Sequence, residues 1–208
     1  MYLQHLAKEF FSTLDERIGP FDRPILFRPF PFDVGGSLNF LTVGAGREKV
    51  VTYVSWDLFG HNKLKQGKLG RYEFITHCDN EKWCSDIITN IGRQALSEVF
   101  DPDDIMDVSP WIGDLQSNLR GVIFEEGFST QIRMELGREQ CGLLRCIGVT
   151  TPELNFAREH GVPSLVKALK ISNVYPNTIL MRSSIELPPK QASFELSGKV
   201  NGSVPNVT

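Results

Sequence analysis

Val50-Val51-Thr52-Tyr53-Val54-Ser55-Trp56-Asp57-Leu58-Phe59-Gly60-His61-Asn62 is a run of β-branched and aromatic residues that stops at an aspartate and a glycine. That composition predicts a strand over Lys49 to Trp56, and Asp57, Gly60 and Asn62 are residue types that build the turn after it. Asp57 can bond backbone amides there, Gly60 permits positive φ and Asn62 tolerates it. Upstream, Ser37 to Val43 is a second apolar, β-branched stretch. The break around Ala45, Gly46 and Arg47 joins the two as a hairpin. Downstream, Arg71 to Cys78 is a third strand.

Helices and further strands surround this hairpin. Leu3, Leu6, Ala7, Phe10 and Leu14 recur at helical spacing, on a helix that ends near Gly19 and Pro20. Phe21 to Phe32 is rich in proline and phenylalanine, which excludes a central strand and predicts an extended cover over one edge of the core. After Cys78, Asp79 is the expected cap of a helix burying Trp83, Ile87, Ile88, Ile91, Ala95 and Val99, ended by Asp101 and Pro102. Strands are expected at Ile105 to Val108, Gly121 to Phe124, Thr130 to Leu136 and Cys141 to Val149, with turns at Gly127 and Gly137. Thr150 forms a capping box with Glu153, while Thr151 would put Pro152 at the first helical position, so either threonine can start the next helix. That helix ends at Gly161, and a short one follows through Leu165 and Leu169. The mixed order predicts an α+β fold, a mixed and largely antiparallel β-sheet packed with helices as an α/β sandwich. Residues 1–187 form its single domain, and the polar stretch 188–208 is expected to be a disordered tail.

The chemistry is as informative for what is missing. With 208 residues, 41% hydrophobic, 23% charged and a net charge of -3, the chain suits one core and offers no cation excess for phosphates. Nucleic acid is not an expected ligand. Met1 to Phe11 interleaves His5, Lys8 and Glu9 with apolar residues, so neither a signal peptide nor a membrane span is expected and the location is read as cytoplasmic. Cys78, Cys84, Cys141 and Cys146 lack C-x-x-C spacing and read as reduced core residues. A metal reading of His77, Cys78 and Cys84 lacks the paired ligands of structural zinc sites. No nucleophile elbow, phosphate loop, H-E-x-x-H or dinucleotide loop is present, and Gly44, Ala45, Gly46 leads into a strand rather than a helix. Asp101, Asp103, Asp104 and Asp107, with Glu125 and Glu126, lack the glycine and terminal glutamate of a calcium loop and read as solvated turns. No cofactor and no catalytic metal are expected.

Four segments in register carry a family resemblance. Thr52 to Asn62, above all Asp57-Leu58-Phe59-Gly60-His61-Asn62, resembles the signature strand and turn of the Suppressor of fused domain. Arg71 to Thr76 resembles the next strand of that family. Ile147 to Ala157, with His160 and Gly161 at the helix end, is similar to its later strand and helix. Val174, Tyr175, Pro176, Arg182 and Ser183 resemble its closing run. The resemblance implies the sandwich of the Suppressor of fused type and a non-enzymatic function in binding a protein or extended peptide. The animal form has two domains and takes its peptide by strand addition. This chain has the length of the free-standing bacterial form, which in some systems acts as an immunity protein against a toxin. Two departures separate it from the animal form: Phe59 stands in place of a tyrosine, and the loop Lys63 to Gly70 is basic where the animal form has an aspartate.

Asp57, Phe59, His61, Asn62, Arg71 and Tyr72 are therefore the candidate partner-binding residues. Aromatics and arginine often dominate binding energy, and Lys63, Lys65 and Lys68 beside them suit an acidic partner. The structural alternative makes Phe59 and Tyr72 core residues. The competing functional reading is a small-ligand or metal-dependent enzyme using His61, Asp57 and His77, which must then meet in one pocket.

Overall fold

The computed structural model describes residues 12–26, 31–45, 49–134 and 137–188. Strands β1 (Asp22–Leu26), β2 (Phe40–Val43), β3 (Val51–Ser55) and β4 (Arg71–Cys78) come first. Helix α1 runs in three segments, Glu81–Trp83, a π-helical Cys84–Ile88, and Thr89–Gln94. Then follow β5 (Ile105–Asp107), a short α2 (Ser109–Ile112), β6 (Leu119–Met134), β7 (Gly137–Thr150), α3 (Thr151–His160), α4 (Val162–Ile171) and β8 (Asn177–Thr178). One sheet holds them in the order β1-β2-β3-β4-β7-β6-β5, with β8 also on β4. The ladders are antiparallel except β4 with β7 and β4 with β8. This is the expected mixed, largely antiparallel α+β architecture.

The strand alternation sorts side chains to two faces. Tyr72, Phe74 and Cys78 of β4 join Phe40 and Tyr53 on one face, where α1 covers them with Trp83, Ile87, Ile88 and Ile91. On the other face Ile75 meets Leu41, Val54 and Leu14, the last from a helical segment at 12–18. Further along that face, α3 and α4 bury Leu154, Leu165 and Leu169 on Ile123, Ile147 and Val149. Burying each such side chain contributes about 1.5–3 kcal/mol.

Several expectations need correction. Asn80, not Asp79, caps α1, its Oδ1 accepting from Trp83 N at 2.8 Å. Asp79 instead accepts from Leu180 N and ties down the closing run. The helical segments stop at Gln94, and Val99 is exposed rather than buried. Gly127 is no turn: β6 is one continuous strand with a register shift between Glu126 and Phe128. A Cβ at Gly127 would lie 3.0 Å from Ile75 Cγ2 and 3.1 Å from Leu143 O, so a larger residue at the bulge would have to push these neighbours aside.

Other expectations fit more closely. The hairpin of β2 and β3 pairs Phe40 with Ser55 and Val43 with Thr52. The proline-bearing segment contributes β1 at the sheet edge, the position where a strand can carry Pro24 without breaking an inner ladder. The capping box settles the open choice, with Thr150 as the cap and Glu153 accepting from Thr150 N at 2.9 Å. Leu3, Leu6, Ala7 and Phe10 lie outside the described residues, as does the tail beyond Pro188.

Candidate functional site

The turn after β3 is held by two acidic side chains, Glu73 from the neighbouring strand β4 and Asp57 within the turn itself. Glu73 in the centre of β4 is fully buried. Its Oε1 accepts from Phe59 N at 2.6 Å and its Oε2 from Ser55 Oγ at 2.5 Å, while Ser55 Oγ accepts from Phe74 N. One side chain thus pins the end of β3 and the tip of the turn to the middle of β4. Burial pushes the Glu73 carboxyl up to about 8, against the opposing pull of those hydrogen bonds.

Asp57 acts beside it, but not as expected. Its carboxylate accepts from Asn39 N at 2.7 Å and from Asn39 Nδ2 at 3.0 Å, so it ties the turn to the approach to β2 rather than capping the turn's own amides. Burial raises its proton affinity, and the Asn39 bonds and the nearby His61 oppose that rise. Arg71 Nη1 donates to Phe59 O at 3.1 Å, completing the clamp from the start of β4.

His61 closes the turn outward. Its Nε2 lies 3.3 Å from Asp33 Oδ2, and its Nδ1 accepts from Lys63 N at 3.3 Å. Both ring nitrogens are thus engaged, Nε2 with Asp33 and Nδ1 with Lys63 N. Phe32 packs edge-on against the ring at 5.5 Å. The Asp33 segment is itself anchored by α1, because Arg93 Nε donates to Phe32 O at 2.9 Å and Leu38 N donates to Thr89 Oγ1.

The candidate residues therefore divide. Phe59 and Tyr72 are 1% and 0% exposed and belong to the two core faces, so in this conformation their rings offer a partner no surface. Asp57 and Arg71 hold the turn, half-buried. Asn62 is exposed and His61 half-buried, with Lys63, Lys65 and Lys68 exposed beside them. Neither Gly60 nor Asn62 has positive φ. The loop from Lys63 is docked through Lys65 N on Ala95 O and Lys68 N on Asp101 Oδ1.

Sequence reasoning missed Glu73 and Trp56. Trp56 is 38% exposed, next to Asp57. An acidic residue between the aromatics Tyr72 and Phe74 of a strand was the available signal for Glu73. For Trp56 it was alternation carried past the strand end.

The residues of the enzyme reading do not meet. His77 stands opposite Thr52, five residues before Asp57, about 16 Å away along the strand. Its Nδ1 lies 2.8 Å from Thr52 Oγ1, and burial with the Arg145 charge pushes the imidazole down to about 4. Cys78, Cys84, Cys141 and Cys146 are buried free thiols, and no group of three or more His, Cys, Asp or Glu among the described residues could hold a metal. No helix among the described residues is long and apolar enough to cross a membrane.

No protein-family model matches this sequence, and no curated protein matches it. Solved structures do. A chain of a Sufu–Fu complex superposes with a TM-score of 0.62 at 12% identity, over 86% of this chain and 91% of that one. A SUFU homolog from Neisseria gonorrhoeae gives 0.62 at 15% identity, over 89% of this chain and 100% of that one. Drosophila Suppressor of fused gives 0.57 at 12% identity, over 81% of this chain and 47% of that one. The chain thus has the Suppressor of fused-type fold.

Proposed function

We propose that this chain is a non-enzymatic protein-binding domain whose recognition surface is the turn Asp57 to Asn62 with Trp56 and the adjoining basic loop. The observation that carries this reading is how the turn's reactive groups are used. Asp57 is spent on Asn39, Glu73 on Ser55 and Phe59 N, and both nitrogens of His61 on Asp33 and Lys63 N. A general base needs a free lone pair near a substrate, and these groups instead fix a backbone. A fixed turn loses little conformational entropy on association, which favours binding by a preformed surface.

Around that turn stand an exposed tryptophan, an amide and three lysines, a set that suits an acidic protein segment. The neighbours in fold include a Sufu chain in complex with Fu, which supports a protein partner in general. Toxin neutralisation is the finer role within this proposal. That finer role rests on the family resemblance of the sequence alone.

The test is capture of partners from the cells that make this protein, with wild type and with His61→Ala/Asn62→Ala as baits. A partner enriched by wild type and lost by the folded double variant is expected. Equal capture by both baits contradicts this surface, and rescue of growth on co-expression with a captured toxin would confirm the finer role.

A further inference from the structure

Two side chains of β4 hold the main chain of Phe59 at the tip of the turn. Glu73 Oε1 takes its N–H at 2.6 Å, and Arg71 Nη1 donates to its carbonyl at 3.1 Å. The other oxygen of Glu73 meets Ser55 Oγ at 2.5 Å, so one carboxyl bridges the end of β3 and the tip. Arg71 is half-buried, whereas Glu73 is fully buried. The partners of Glu73 are a hydroxyl and backbone amides, and it forms no ion pair among the described residues.

The charges around Glu73 do not compensate it. Within the turn, Asp57 is a like charge that opposes its ionisation, and His61 is turned to Asp33. On β4 itself, Arg71 is directed to the Phe59 carbonyl. Across the ladder stands the apolar Leu143 of β7, with the Cys141 thiol before it and Arg145 after it, the latter paired with Glu125. The helical segment at 12–18 contributes Leu14 to the buried cluster that holds Phe59 and leaves Asp15, Glu16 and Arg17 exposed. An ionised Glu73 is therefore an unpaired charge in the core, which the closed turn tolerates less than an open one where water reaches the carboxylate. The hydroxyl and the amides bond an ionised carboxyl more strongly, yet burial outweighs them and pushes it up to about 8.

We infer that Glu73 is a proton-operated clasp on the turn: its neutral carboxyl holds residues 57–61 against β4, and loss of the proton to solvent lets them lift away. Linkage fixes the direction. In the open turn the carboxyl is solvated and returns to its ordinary 4.5, so closure is favoured fully below that pH and progressively less as pH rises toward about 8. Lifting breaks the bonds of Glu73 to Ser55 and Phe59 and frees the Phe59 ring, which is 1% exposed in the closed turn. The clasp is a property of the turn's own conformation and stands whether or not the turn is the recognition surface proposed above. If it is, a partner that recognises the closed turn is released as pH rises.

The test is a titration of the full chain from about pH 6 to about pH 9, following the Glu73 carboxyl carbon shift and the hydrogen-exchange protection of the Phe59 amide, corrected for its intrinsic rate. The carboxyl should titrate with a midpoint of about 8, and Phe59 protection should fall at least about tenfold as it does so and then level off. Asp57→Asn keeps an acceptor for the Asn39 amide but removes the like charge, so it should move both midpoints to lower pH. Glu73→Gln should leave Phe59 protection flat. A carboxyl that does not titrate in this range, protection that stays constant while it does, or unshifted midpoints in Asp57→Asn would overturn the clasp. So would exchange at Phe59 that is no faster at any pH than at Ile147 within the β6–β7 ladder, because the whole chain rather than the turn would then be opening.

Discussion

Glu73 and Glu153 are both fully buried, yet the fold satisfies them in opposite ways. Glu153, at the start of α3, meets the Arg182 guanidinium through two contacts of 2.5 and 2.6 Å and also accepts from Thr150 N and Ile185 N. Burial raises its proton affinity, but the Arg182 bonds and charge outweigh that and hold the carboxyl below its ordinary range. Glu73 has only a hydroxyl and backbone amides, so burial prevails and the carboxyl rises to about 8. The first arrangement locks the C-terminal run onto α3. The second holds a turn with a group whose charge depends on pH, and the turn is where binding is proposed.

The largest expected effect is on the charge-paired side. Arg182→Ala strands a buried carboxylate and should cost about 3–5 kcal/mol in chemical unfolding, whereas Arg182→Lys should restore only part because the paired geometry is lost. Glu153 is depressed, so its contribution is present above its unfolded value and is lost as pH falls through the folded one.

Glu73 has the opposite sign. Its folded value lies above the ordinary 4.5, so the stabilisation is complete below 4.5 and is lost as pH rises toward about 8. Wild type should lose up to about 3 kcal/mol between pH 4.5 and pH 7 from this group, and Glu73→Gln, which mimics the protonated acid, should flatten that slope. A variant with the wild-type slope would show that the carboxyl titrates normally.

Asp57→Ala leaves the Asn39 amide without its acceptor and should cost about 1–3 kcal/mol. The smallest effect is expected at Gly60. Its φ is not positive and a Cβ there meets nothing within 4 Å, so Gly60→Ala should change stability by no more than about 0.5 kcal/mol.

That last position shows how far sequence reasoning reached. The strand pattern around Val50 to Ser55 and Arg71 to Cys78 was legible because alternation and β-branching are local signals. The capping box at Thr150 and Glu153 was legible too, while its Arg182 partner, 29 residues later, was not. Gly60 looked like a conformational requirement, and the structure gives it none. Phe59 and Tyr72 looked like contact residues because aromatics dominate both cores and interfaces, and one sequence does not distinguish those environments. Glu73 escaped notice because its role comes from a tertiary arrangement, a turn folding back across the middle of a strand.

The central claim is that the turn after β3 binds a protein partner through its exposed residues while Glu73 and Asp57 only hold it in shape. Calorimetry of the captured partner against Trp56→Ala, with the melting temperature checked alongside, tests it most directly. The account predicts at least a tenfold loss of affinity with an unchanged melting temperature. Affinity within twofold of wild type for both Trp56→Ala and Asn62→Ala would contradict it and place the interface elsewhere.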